Sequence, residues 1–176
     1  SIAMESQVDE RYLLEWLSSN AARGYVTYDD DRQLFSLSPE QAAVFARENE
    51  PTCIQGLIQG VVGQFVNQDI AIDVFKTGRG RPWGEHHECC FCGTERFFRP
   101  AYATHLLEEW IPALEGVEEK LRNGAKVADI GCGLGTSSIL MAENFPNSII
   151  HAYDFHAPSI EEARKRAESQ GLKNVE

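Results

Sequence analysis

Residues 127–135 read V-A-D-I-G-C-G-L-G, an apolar strand that ends in an acid and a glycine-rich turn. The segment that follows from Thr136, T-S-S-I-L-M, is typical of the start of a helix. A second apolar run, I-I-H-A-Y-D, ends in Asp154, which lies 23 positions after Gly131. Strand, turn, helix and strand in this order predict a βαβ unit. Because the ends of two parallel strands meet at one edge of a sheet, we expect both turns to contact the same ligand.

The residue types in these turns indicate a nucleotide-type ligand. Glycines at positions 131, 133 and 135 allow a sharp turn and let a ligand lie against bare peptide. The helix that begins near Thr136 presents free N–H groups and the positive end of its dipole, which favour a carboxylate or a phosphate. Asp154 can accept two hydrogen bonds from a ribose diol, and its charge would repel a 2′-phosphate.

The spacing of the turn separates two kinds of nucleotide ligand. The dinucleotide fingerprint is G-x-G-x-x-G, whereas this turn is G-x-G-x-G, with Asp129 two residues before its first glycine. A pyrophosphate has no cationic group for Asp129, but S-adenosylmethionine carries an ammonium and a sulfonium. The spacing favours the methyl donor over a nicotinamide dinucleotide, which remains an alternative.

The stretch Asp129–Gly135 resembles the first motif of the class I S-adenosylmethionine-dependent methyltransferases, and Asp154-Phe155 is similar to their second. The resemblance implies an S-adenosylmethionine cofactor, with Asp129 at its amino-acid end, Asp154 at the ribose and Phe155 beside the adenine. The cofactor-binding residues are then predicted to be Asp129, Gly131, Cys132, Gly133, Gly135, Asp154 and Phe155.

Composition limits the class of protein and its partners. The 176 residues carry a net charge of −11, which argues against nonspecific binding to nucleic acid because phosphate contacts need Lys and Arg. The five cysteines are an odd number without framework spacing, and no apolar leader follows a basic start, so we expect a cytoplasmic protein. The apolar run near residues 54–66 is interrupted by three glutamines, which predicts a core or interface helix rather than a membrane span.

Residues 1–50 follow the winged-helix order of helix, helix and hairpin, then a further helix. Asp9 is expected to cap the second helix and Ser38 the helix after the hairpin. This segment has ten acids against four arginines, and the hairpin turn is Asp29-Asp30-Asp31. Three aspartates beside a DNA-reading helix would face phosphates, so we predict a protein contact rather than DNA binding. Small-molecule O-methyltransferases carry a similar winged helix, and the resemblance implies a homodimer. A cofactor-binding transcriptional regulator without turnover remains an alternative function.

Gly56, Gly60 and Gly63 fall on one face of the next predicted helix. A stripe of small residues lets a second helix approach closely. The second helix could belong to the same chain or to another subunit, and the sequence favours neither.

The segment 78–100 is predicted to begin with an irregular loop at 78–84, because glycines and prolines crowd that stretch, and its cysteines are expected in a surface or packed loop. Within it, Glu85 and His86 are candidate catalytic groups, since a carboxylate attracts cations and a histidine can act as a base near neutral pH. Trp83 offers an apolar wall. The resemblance to class I methyltransferases implies that Phe97, Phe98 and Tyr102, on the element before the cofactor strand, are candidates to cover the cofactor. The cysteines at positions 89, 90 and 92 lack a second distant ligand pair, so we predict no metal site.

The predicted fold class is α/β, with a winged-helix segment and a helical linker region before a Rossmann-like class I methyltransferase domain. The domain boundaries are predicted at 1–50, 51–122 and 123–176. Class I methyltransferases continue through several more strands, so we expect the chain to be truncated after the second strand and incomplete at both ends. The implied function is transfer of a methyl group to a small-molecule acceptor, whose identity the sequence does not indicate.

Overall fold

The computed structural model describes residues 1–176. Its first part consists of two helices, a short antiparallel hairpin and a third helix. Asp9 caps the second helix by accepting hydrogen bonds from two backbone N–H groups, and Ser38 caps the third, as predicted. The structure adds a reciprocal capping box between Ser38 and Gln41. The elements are α1 (Ile2–Ser6), α2 (Glu10–Ala22), β1 (Thr27–Asp29), β2 (Leu34–Ser36) and α3 (Pro39–Phe45).

The middle part is helical. It contains α4 (Gln55–Val66), α5 (Gln68–Thr77), a single 3-10 turn (Trp83–Glu85), α6 (Glu88–Ala101), a π-helix (Tyr102–Trp110) and α7 (Val117–Asn123). The prediction that the cysteines at positions 89, 90 and 92 lie in a loop is wrong, because α6 begins at Glu88 and contains all three. None of the helices is both long enough and apolar enough to cross a bilayer.

The last part is the predicted βαβ unit, made of β3 (Lys126–Ile130), α8 (Thr136–Asn144), β4 (Ile149–Tyr153) and the following helix α9 (Ala157–Ser169). The two strands pair in parallel, with Asp129 opposite Ala152 and Ile130 opposite Tyr153. Beyond α9, Val175 forms a parallel bridge with Ile150, on the side of β4 away from β3. The last residues of the chain thus pair with the edge of β4 that β3 leaves free.

Two features hold this part together. Ile111, Leu121 and Phe145 form a buried cluster that packs the linker helices against the βαβ unit. Beside it, the buried Ser148 hydroxyl donates to Leu121 O at 2.6 Å and accepts from Ala125 N at 2.9 Å. A buried polar group with both partners satisfied supports the connection between α7 and β3.

Helices α4 and α6 are in close contact through small residues. A β-carbon on Gly56 would lie 2.3 Å from Phe97 N, and one on Gly63 would lie 2.6 Å from Cys90 Sγ. Gly93 on α6 faces Gly60, since a β-carbon on Gly93 would lie 2.4 Å from Gly60 N. The glycine stripe is thus used within the chain, which decides between the two alternatives left open by the sequence.

Substitution of the two facing glycines should have opposite effects on stability. Gly93→Ala places a methyl group against the backbone of α4, and we expect a loss of about 1–3 kcal/mol in the free energy of unfolding. The matched control is Gly60→Ala, because its β-carbon meets nothing within 4 Å and alanine is the better helix former. That change should stabilise the protein by about 0.5–1 kcal/mol. Urea unfolding of both variants measures the difference, and equal effects would contradict the close packing of α4 on α6.

Candidate functional site

The parallel pairing of β3 and β4 brings the two predicted turns together. Gly131, Gly133 and Gly135 all have positive φ angles, of 80°, 55° and 79°. A β-carbon on either of the first two would point into open space, whereas one on Gly135 would lie 2.8 Å from Ala163 Cβ. Gly131 and Gly133 thus leave room for a ligand, and Gly135 lets α9 pack against the turn.

Asp154 links the two strand ends through backbone donors. Its Oδ2 accepts a hydrogen bond from Gly133 N at 2.9 Å, and its Oδ1 accepts one from His156 N at 2.8 Å. Each carboxylate oxygen can accept more than one hydrogen bond, so the same oxygens can also accept from a ligand hydroxyl.

Asp129 is held by the first turn of α8. Its Oδ2 accepts hydrogen bonds from the hydroxyl groups of Ser137 and Ser138, each at 2.7 Å. The other oxygen, Oδ1, accepts no hydrogen bond from the protein. Two neutral donors therefore fix the carboxylate without cancelling its charge.

A cavity of about 550 Å³ lies in front of these residues. Its walls contain no Lys, Arg or His and three acids, of which Glu95 is paired with arginines outside the walls, so Asp129 and Asp154 give the cavity a negative charge. Five of its lining residues are aromatic. Four belong to the linker region, and the fifth follows the end of β4. The lining residues are Trp83, Phe91, Thr94, Glu95, Phe98, Tyr102, Asp129, Ile130, Gly131, Cys132, Gly133, Leu134, Thr136, Ser137, Asp154, Phe155 and Ser159.

The acids also act on two neighbouring groups. Burial, together with the charges of Asp129 and Asp154, raises the pKa of the Cys132 thiol to about 11. Burial and Asp129 raise the pKa of the Tyr102 hydroxyl. Both groups are therefore neutral at physiological pH, and Cys132 is a poor nucleophile there because the thiolate is the reactive form.

Six of the seven predicted cofactor-binding residues line the cavity, and the seventh, Gly135, begins α8 directly behind it. The candidates Glu85 and His86 do not line it. Glu85 pairs with Arg79 at 3.2 Å, and the ring of His86 lies 5.3 Å from that of Trp83. Burial and the charge of Arg81 lower the pKa of His86, so this histidine is neutral at pH 7. The three neighbouring cysteines lie on α6, and no group of three or more His, Cys, Asp or Glu is arranged to hold a metal ion.

Sequence reasoning missed the contribution of α6 to the cavity. Phe91, Thr94 and Glu95 line it from this helix, beside Phe98, which the sequence indicates as a cover. Phe91 stacks on His156, with ring centroids 4.5 Å apart. A signal for the helix exists in the spacing of Cys90, Gly93 and Phe97, which places small or apolar residues on one helical face.

Two family models match parts of the chain. Residues 1–47 match the Rv2258c-like winged HTH domain, and residues 121–176 match a methyltransferase domain. Among curated proteins, the trans-aconitate 2-methyltransferase of Rhodococcus jostii is 31% identical over 75 residues, which are 43% of this chain and 29% of that protein.

Solved structures extend the similarity over nearly the whole chain. An O-methyltransferase family protein from Burkholderia thailandensis has a TM-score of 0.65 at 14% identity, covering 99% of this chain and 52% of that one. The structure of PigF with SAH (S-adenosylhomocysteine) has a TM-score of 0.60 at 15% identity, covering 99% and 53%. The chain thus spans about half the length of these structures, and the likeness shows a shared fold. Together, the matches show that residues 1–47 are similar to the Rv2258c-like winged HTH domain, that residues 121–176 are similar to a methyltransferase domain, and that the chain shares the fold of these methyltransferase structures.

Proposed function

We propose that the protein containing this chain is an S-adenosylmethionine-dependent methyltransferase that acts on a small molecule. The observation that carries the proposal is the cavity, which combines a glycine turn with two carboxylates, Asp129 and Asp154, that form no ion pair, and has no basic residue in its walls. A dinucleotide would bring a pyrophosphate into negative surroundings, whereas S-adenosylmethionine brings an ammonium and a sulfonium. The charge of the walls therefore supports the methyl donor over the nicotinamide alternative.

The residues present fit this cofactor. Asp129, with Oδ1 free of protein donors, would accept from the ammonium of the amino-acid end. Asp154 would accept from the ribose hydroxyls, and Phe155, which is 77% exposed at the strand tip, would line the adenine. Gly131 and Gly133 leave the space that such a molecule needs.

S-adenosylmethionine, when bound, supplies an electrophilic methyl group that a nucleophilic atom of the acceptor takes as the bond to sulfur breaks. The chain's own part would be alignment and exclusion of water, which account for much of the acceleration in reactions of this kind. Trp83, Phe98 and Tyr102 form apolar walls suited to that role. Neither candidate base, Glu85 nor His86, reaches the cavity, and their catalytic roles remain a hypothesis.

The alternative of a DNA-binding regulator receives no support from the wing. Asp30 and Asp31 are exposed at its tip, where they would face the phosphates of a duplex. The cytoplasmic location also remains a proposal, supported by five cysteines that are all free.

Removal of one charge at the ribose position should weaken cofactor binding. In Asp154→Asn, the amide oxygen can still accept from Gly133 N, but the NH2 group replaces the oxygen that accepts from His156 N, and the charge-assisted hydrogen bonds to the ribose are lost. We expect at least a tenfold increase in the Kd for S-adenosylhomocysteine, or about 1.5 kcal/mol or more. Isothermal titration calorimetry on the full-length protein measures this.

Asp30→Asn is the matched control, because it removes an equal charge at the exposed wing, and its Kd should stay within about twofold of the wild type. Wild-type protein that does not bind S-adenosylhomocysteine would refute the assignment. So would stabilisation against heat by NAD in place of the methyl-donor product.

We also propose that the winged-helix segment forms a homodimer. An apolar groove of about 860 Å³ lies between α2, the hairpin and α4, and 11 of its 13 lining residues are hydrophobic. Trp16 lines this groove and is 61% exposed. Exposed apolar patches of this kind mark interaction surfaces.

A charge in the groove should dissociate such a dimer. Trp16→Glu introduces a carboxylate where an apolar partner would desolvate it, so we expect a monomer at micromolar concentration. Sedimentation velocity of the full-length protein measures the mass. Phe75→Glu is the control, because Phe75 is 91% exposed on α5 and does not line the groove. A monomeric wild type, or dissociation by Phe75→Glu alone, would contradict the proposal.

A further inference from the structure

Glu95 is the one acid of the cavity to which the proposed cofactor contacts give no role. It lies on α6, and its side chain is only 9% exposed. Its Oε1 accepts a hydrogen bond from Thr136 Oγ1 at 2.9 Å and another from Arg166 Nη1 at 3.4 Å. Arg99 Nε lies 3.7 Å from the same oxygen.

These contacts belong to a ladder of alternating charges. Arg99 also pairs with Glu48 at 3.1 Å, and Arg166 also pairs with Glu162 at 3.0 Å. Glu95 thus lies between two guanidinium groups, as a buried carboxylate must if its desolvation is to be offset. Because two cations already balance its charge, Glu95 is not free to neutralise a cationic ligand.

Glu95 also makes the only hydrogen bonds between α6 and residues 123–176. One goes to the first residue of α8 and the other to α9. Packing adds to these hydrogen bonds, since α6 also contacts α8 and Phe91 stacks on His156. This carboxylate therefore supplies the hydrogen bonds that join α6 to the glycine turn region.

We propose that Glu95 is a positioning residue for the cofactor site. Its carboxylate holds α6, which carries the cavity walls Phe91, Thr94 and Phe98, against the first turn of α8. Thr136 directly follows Gly135 and precedes Ser137, which donates to Asp129, so the anchor lies beside the residues that would hold the amino-acid end. The inference rests on the proposed function, since it concerns affinity at the same site.

The test compares two ligands that differ in charge. Glu95→Gln keeps the shape and an acceptor for Thr136 but removes the charge between Arg99 and Arg166. Calorimetry on the full-length protein should show that the Kd values for S-adenosylmethionine and S-adenosylhomocysteine both rise by about fivefold or more, by equal factors. If Glu95 contacted the charge of the ligand directly, the substitution would instead weaken the binding of the cationic S-adenosylmethionine more than that of S-adenosylhomocysteine, whose sulfur is neutral.

Glu162→Gln is the matched control. It removes the other carboxylate that pairs with Arg166, but Glu162 is 44% exposed and does not line the cavity. Its affinities should stay within about twofold of the wild type. Hydrogen exchange of the ligand-free protein gives a second readout, in which the amides of α6 should exchange faster in Glu95→Gln and not in Glu162→Gln.

The outcomes separate this inference from the proposed function. If the wild type binds neither ligand, the proposed function is wrong and the role of Glu95 falls with it. If the wild type binds and Glu95→Gln binds equally well, or loses affinity for S-adenosylmethionine alone, only the positioning role is wrong. Should Glu95→Gln fail to fold, Thr136→Val removes the same hydrogen bond from the other side. Unchanged affinity in that variant would overturn the role.

Discussion

The parallel pairing of β3 with β4 determines where the candidate cofactor-binding residues lie. Because Ile130 lies opposite Tyr153, the two strands end at the same level of the sheet. The turn after β3 therefore meets the acid after β4. Gly131 N and Cys132 N donate to Tyr153 O at 2.7 and 3.0 Å, which extends the pairing into the turn itself. The hydrogen bond from Gly133 N to Asp154 then completes the connection. A slip of the register by one residue would move Asp154 away from the glycines and remove the site.

Sequence predicts the parts of this structure that depend on neighbours in the chain. The caps at Asp9 and Ser38, the hairpin and the βαβ unit each follow from a short pattern of residue types. Helix α6 does not, because it contains Gly93, Pro100 and three cysteines, none of which favours a helix. Its stability comes from contact with α4, where the facing glycines let the two backbones approach.

The same reason explains which half of the candidate site could be predicted. The half built from residues 129–155 is local in sequence and carries a recognisable spacing. The half built by α6 reaches the turn from 41 residues away, at the contact of Glu95 with Thr136, and no local pattern records that contact. Tyr102 begins the π-helix that follows α6. It lies two residues after Pro100, and proline has no backbone N–H to donate to the helix. Its place at the cavity therefore depends on how the wider helix is wound.

The three acids of the cavity are compensated in two different ways, and the difference bears on what each can do. Glu95 pairs with two arginines, so its charge is compensated within the protein. Asp129 is held by two serine hydroxyls and Asp154 by two backbone N–H groups, and neither forms an ion pair. Neutral donors fix the positions of these carboxylates but leave their charge to act on whatever enters the cavity. Burial is the larger cause of the raised pKa values of Cys132 and Tyr102, and the negative charge of Asp129 adds to it in both; a cationic ligand would experience that charge as attraction.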